Sequence, residues 1–134
     1  MSSQGIHHLG VAVSDLDAAV ATYTELFGAE LEHRETVVDQ GVEAASMMIG
    51  TGRVELLAAL GPDTPVGRFL AKRGPGMHHI AFEVDDVGVE LDRLAAAGTE
   101  LIDTVPRRGM FGLDVAFIHP EATGGVLAEL VSRG

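Results

Sequence analysis

Residues 5–20 read GIHHLGVAVSDLDAAV, and 71 residues later, at 76–91, the chain reads GMHHIAFEVDDVGVEL. Both copies run glycine, apolar, His-His, apolar, small, then a β-like stretch and an Asp that opens a helix-like stretch. A second echo lies later in each half, where GRVELL (52–57) resembles GVLAELV (125–131). Two copies at so long a period do not make a solenoid; they make two pseudo-symmetric modules. Working outward by periodicity, the first module has a strand from Ile6 to Val13, then a helix capped by Ser14 or Asp15. That helix carries Leu16, Val20, Tyr23 and Phe27 at helical spacing and stops at Gly28. Strands follow near 30–37, 42–49 and 53–59. The second module repeats this: a strand at 78–84 and a helix from about Asp86 with Val87, Leu91, Leu94 and Ala95 on one face. Gly98 ends it, and strands are expected near 99–104, 113–118 and 126–132. Between the modules, Thr64-Pro65 opens a short helix that Gly74-Pro75 ends. The pattern is βαβββ twice, an α+β fold, with module one at about 5–60, the connecting helix at about 64–73 and module two at about 76–134 of a single domain, 1–134.

With 134 residues the chain is long enough for one domain with a real core. Nine Lys plus Arg against 20 Asp plus Glu give a formal charge of -11, which argues against nucleic acid as a partner, because phosphates need cations. The absence of Cys excludes a disulfide scaffold, a Cys nucleophile and a thiolate zinc site. The opening MSSQGIHH lacks the basic and apolar regions of a signal peptide, and no apolar run approaches ~20 residues. No membrane partner and a cytoplasmic location are the expectation.

Alternation along the two His-His strands decides which histidine faces where. His7 shares a face with Leu9, Val11 and Val13, and His78 with Ile80, Phe82 and Val84; these faces should pack on helices. His8 shares the other face with Gly10 and Ala12, and His79 with Ala81 and Glu83. Small neighbours there leave space for a cavity. Glu55 and Glu129 lie at equivalent places in the two modules, each inside an apolar strand, where a carboxylate is costly to bury unless paired, hydrogen-bonded or bound to metal. The bland alternatives are hydrogen-bonded core histidines and glutamates that point to solvent from edge strands or form a neutral pair. Two imidazoles and two carboxylates in symmetric positions instead suit a four-ligand site for an octahedral divalent ion such as Co²⁺, Mn²⁺, Ni²⁺, Zn²⁺ or Fe²⁺. Spacing does not choose among them.

Paired βαβββ modules with this His/Glu pattern resemble the vicinal oxygen chelate superfamily, whose members share a metal-lined cup between modules. More narrowly, IHHLGVAVSDLDAAVATYTELFG, VELLAALGPDTPVGRFLAKRGPGMHHIAFEVDD and FIHPEATGGVLAELV are similar to methylmalonyl-CoA epimerases over nearly the whole chain; HHIAFEVDD and HPEATGGVLAELV are the most specific segments. The resemblance places the metal ligands at His8, Glu55, His79 and Glu129, in agreement with the alternation argument. It implies a divalent ion, Co²⁺ first, with Mn²⁺, Ni²⁺ or Zn²⁺ as alternatives, and methylmalonyl-CoA as substrate; because such small modules often assemble in pairs, a homodimer is the expectation. It also implies removal and return of the proton at C2, through an enolate stabilised by the metal, with two carboxylates as acid and base. Glu129 matches one. Glu43, directly after Gln40-Gly41-Val42, is the candidate for the other, although some family members carry the acid one residue later, where this chain has Ala44, and one residue reverses the strand face.

A glyoxalase-like lyase and a noncatalytic antibiotic-sequestering protein of the same fold are the competing functions. HPEATGGV and the 64–73 helix argue against the first, and the symmetric His/Glu set against the second. An extradiol dioxygenase fits less well, since its iron site uses two His and one carboxylate. Arg107-Arg108 and Lys72-Arg73 are basic pairs that could meet CoA phosphates or simply be solvated. His119 reads as a turn or core histidine, Met47, Met48 and Met110 as core or pocket lining, and His33 carries no signal.

Overall fold

The computed structural model describes residues 4–133. The chain divides into two compact units, residues 8–78 and residues 79–134 together with the N-terminal segment through His7. The first begins in β1 (Gly5–Ala12) and continues through α1 (Leu16–Phe27), β2 (Glu30–Val37), β3 (Val42–Ile49), β4 (Gly52–Ala59) and α2 (Pro65–Arg73). The second comprises β5 (Gly76–Glu83), α3 (Val87–Ala96), β6 (Arg107–Arg108), β7 (Asp114–Ile118) and β8 (Ala128–Ser132). Strand order is β2-β3-β4-β1 in the first set and β5-β8-β7-β6 in the second.

The repeat is written into the helix starts and the cores. Asp15 caps α1 by accepting from the Ala18 N–H at 3.0 Å, and Asp86, its counterpart in the second copy, caps α3 through the Val89 N–H at 3.1 Å. At the end of α1, Gly28 adopts φ 64°, a left-handed turn that a side chain would oppose. Val13, Leu16, Ala29, Ala45, Met47 and Leu56 form the core under α1, with Val11, Val20 and Tyr23 packed on it. The core under α3 is Val84, Val87, Leu91, Ala116 and Leu130, with Phe82 and Leu94. Val13, Leu16 and Val11 in one thus correspond to Val84, Val87 and Phe82 in the other. Phe27 is the exception to the helix-face expectation: it is 58% exposed and meets Tyr23 edge-on.

One expected strand is not formed. Residues 99–104 make only a single bridge, Leu101 to Ile118, and the regular pairing at that edge is the two-residue β6 further on. The reason lies in the hydrogen bonds. The N–H groups of Ile102 and Asp103 both donate to the Phe117 carbonyl, and the Asp103 carboxylate takes the Phe117 N–H at 2.8 Å. Two donors on one acceptor break the ladder, and Pro106 offers no N–H with which to resume it. Among the described residues, no helix is long and apolar enough to cross a membrane.

Candidate metal centre

In the first unit, β1 runs parallel to β4 with Gly10 opposite Glu55. Directly paired residues share a face, and His8 is two residues before Gly10, so Glu55 lies on the face of His8, one pleat along. The contact follows: His8 Nδ1 is 3.3 Å from Glu55 Oε2, both side chains being buried. The second unit repeats the device. β5 runs parallel to β8 with Ala81 opposite Glu129, and His79 Nε2 is 3.3 Å from Glu129 Oε1. The residues opposite the two carboxylates are small, Gly10 and Ala81. His8 is 3% exposed, His79 5%, Glu55 7% and Glu129 3%. Burial this deep sets a carboxylate against its own solvation, and the imidazole partner offsets part of that cost. Phe117, in register with Glu129, stands edge-on to His79 at 5.4 Å between ring centres and holds its plane. Imidazole nitrogen and carboxylate oxygen are donors suited to a divalent ion, and each unit brings one of each together.

In the second of the two His-His strands, β5, the paired histidines follow alternation. The His78 ring rests against Phe69 of α2, away from the His79–Glu129 pair. Glu43 does not join the ligand face. It pairs across strands with Thr36 and Ala58, and Ala58 packs on the core under α1. Its carboxylate is 3.1 Å from Arg34 Nε, and Arg34 in turn reaches Asp17 of α1 at 2.6 Å. Those hydrogen bonds, Asp17 first and Glu43 second, raise the guanidinium above its ordinary pKa. Glu43, the candidate acid/base of the sequence reading, thus has its carboxylate engaged with Arg34 on the α1 side. The residue on the Glu55 side is Ala44, which pairs with Leu57.

The remaining candidates sort simply. Arg107 is paired with Asp103 at 3.4 Å, and Arg73 lies over the Phe69 ring. His119 Nδ1 accepts from the Glu121 N–H, capping a 3₁₀ turn as a turn histidine should. Met47 and Met110 are buried. The reading of the sequence missed a second His–Glu pair on the ligand face of the first unit: His33 Nε2 lies 2.7 Å from Glu35 Oε1. Its only signal was that residues 33 and 35 alternate along one strand.

The sequence model of the glyoxalase/bleomycin resistance protein/dioxygenase superfamily matches residues 7–117. The chain is 37% identical over 127 residues to the ethylmalonyl-CoA/methylmalonyl-CoA epimerase of Cereibacter sphaeroides, covering 93% of this chain and 95% of that one. The chain belongs to the methylmalonyl-CoA epimerase family. Solved structures of that family agree. The methylmalonyl-CoA epimerase from Mycobacterium tuberculosis superposes with a TM-score of 0.94 at 36% identity, covering 98% of this chain and 89% of that one. A methylmalonyl-CoA epimerase in complex with methylmalonyl-CoA and NH4+ gives 0.94 at 38% identity, covering 99% and 96%. The α+β fold of this family member is thus the glyoxalase fold, with βαβββ in each half.

Proposed function

We propose that this protein is a methylmalonyl-CoA epimerase that interconverts the (2R) and (2S) thioesters by removing and returning the C2 proton, and that His8, Glu55, His79 and Glu129 bind one divalent metal ion. The observation that carries the reading is the pair of buried His–Glu contacts at 3.3 Å, set at equivalent register positions in a chain of this family. Two donors from each half make the four-ligand set. A divalent ion held there, Co²⁺ foremost, supplies positive charge for the oxygen on which enolate charge develops. Glu129 is the acid/base on one side of C2: its carboxylate takes the proton, and the C–H electron pair passes into the thioester. The burial of His79 and Glu129 excludes water from around that carboxylate. A glyoxalase-like lyase or a sequestering protein is not favoured, since the relatives described are epimerases. The same reading carries a homodimer and a cytoplasmic location.

The test is solvent exchange. With Co²⁺ added, methylmalonyl-CoA in deuterated water should take up deuterium at C2 while its epimers equilibrate; a protein that gives neither is not an epimerase. Glu43→Gln provides an internal control. Because Glu43 is half exposed and engaged with Arg34 on the α1 side, turnover should stay within about twofold and stability within about 1 kcal/mol of the parent. A loss of turnover of tenfold or more in that variant would return Glu43 to the reaction.

A further inference from the structure

A carboxylate that takes the C2 proton, as the epimerase reading has Glu129 do, brings its own neighbours up against the other substituents of that carbon. Register names those neighbours. Glu129 has two cross-strand partners, Ala81 on β5 and Phe117 on β7, and directly paired residues share a face with their β-carbons about 5 Å apart. Two independent contacts fix the face of Phe117. Ala116 and Ile118, on either side of it in β7, belong to the core under α3, whereas the Phe117 ring meets His79 edge-on at 5.4 Å between ring centres. Ala81 is fully buried and packs with Val115 and Val131, themselves buried. Phe117 is half-buried, so part of its surface stays accessible beside the Glu129 carboxylate.

We propose that Phe117 determines substrate specificity, as the wall against which the C2 alkyl group of the thioester lies; the proposal depends on the epimerase reading above. The chemistry of C2 leaves few choices. That carbon carries a hydrogen, a carboxylate, the thioester carbonyl and an alkyl group. The hydrogen goes to Glu129, and two of the remaining groups are polar. The alkyl group is the one that gains by leaving water, and of the two residues in register with Glu129 the ring of Phe117 is the accessible apolar surface. Val115 and Val131 extend the same row as a buried apolar floor, with Leu113 packed at its end. The edge-on contact with His79 keeps the ring from swinging aside, so the space beside it has a set size. A short alkyl group fits such a space, and a longer one meets the ring. The substrate class is therefore malonyl thioesters with a short C2 substituent.

The experiment compares two thioesters on the same protein, so that any general loss cancels. Methylmalonyl-CoA and butylmalonyl-CoA are each given to the Co²⁺-loaded protein in deuterated water. Deuterium uptake at C2 gives kcat/KM, and calorimetry gives the affinity for each. Phe117→Ala should raise the butyl-to-methyl ratio of kcat/KM on the order of 10²-fold, since one methylene accepted or refused by an apolar pocket changes discrimination about 10–200-fold. The ratio of affinities should move in the same direction. Phe117→Leu keeps a smaller apolar side chain and should raise the ratio about tenfold; it decides the matter if the alanine variant does not fold. A ring that merely steadies His79 slows both thioesters alike when removed. Ratios within about threefold of the parent in the folded variants therefore overturn the assignment, because a wall in contact with the alkyl group changes them by at least about tenfold. Ile118→Ala, on the α3 side of the same strand, should leave the ratio unchanged, and an equal rise there also overturns it. A parent protein inert toward methylmalonyl-CoA overturns the epimerase reading instead, so the two failures are distinct.

Discussion

A chain carrying His79→Ala is expected to lose tight divalent-metal binding and, with it, on the order of 10³-fold or more of epimerase turnover, because metal stabilisation of a developing enolate is worth several kcal/mol. The variant removes one of the four proposed ligands and takes the 3.3 Å partner from buried Glu129. Residues that merely orient a ligand contribute 10–100-fold to affinity, so the ligand itself should contribute more. His8→Ala should act alike, leaving Glu55 buried without its imidazole. The matched control is His78→Ala: its ring sits on the opposite face against Phe69, and metal stoichiometry should be unchanged. Equilibrium dialysis against Co²⁺ reads both. Full metal content in His79→Ala, or loss of metal in His78→Ala alone, would reverse the assignment of faces.

Leu56→Ala is expected to destabilise the protein by roughly 2–5 kcal/mol, the range for deleting a buried leucine that leaves a cavity, which lowers the melting temperature by roughly 10 °C. Leu56 is fully buried in the cluster that Val13, Leu16 and Met47 form under α1. It follows Glu55 directly but points to the other side of β4. Metal binding measured well below the transition should therefore survive, whereas thermal unfolding should shift strongly. If Leu56→Ala left the melting temperature unchanged, the α1-side cluster would not be the core it is described to be. One face of each strand set packs on its helix, and the other carries a buried His–Glu pair.

That division explains which parts of the site could be read in advance. A period of two places every second residue on one face, so His79 separates from His78 without any knowledge of their neighbours. Helix starts are similarly local: Asp15 and Asp86 reach N–H groups three residues on, and nothing distant is needed to see it. Assigning Glu43 required the pairing of β3 with β2 and β4, since the chain around it reads the same whichever face it takes; only the Arg34 and Asp17 contacts decide. His33 and Glu35 were invisible for the same reason. Their pairing follows from alternation, but their membership of the Glu55 face depends on the bulge before His33 and on the rows that join β2 to β4.

The sequence by itself thus determined the two-module repeat, the helix boundaries and the two cores, because each depends on residues within one helical turn or one strand. The tertiary structure alone decided the register-dependent features: Glu43 turned toward α1, the His33–Glu35 pair beside Ala44, and the collapse of the expected 99–104 strand. In that last case side-chain and backbone groups of Asp103 take up the Phe117 peptide. Cross-strand register is a sum of many weak, non-local pairings, and a one-residue slip inverts every side chain along the strand.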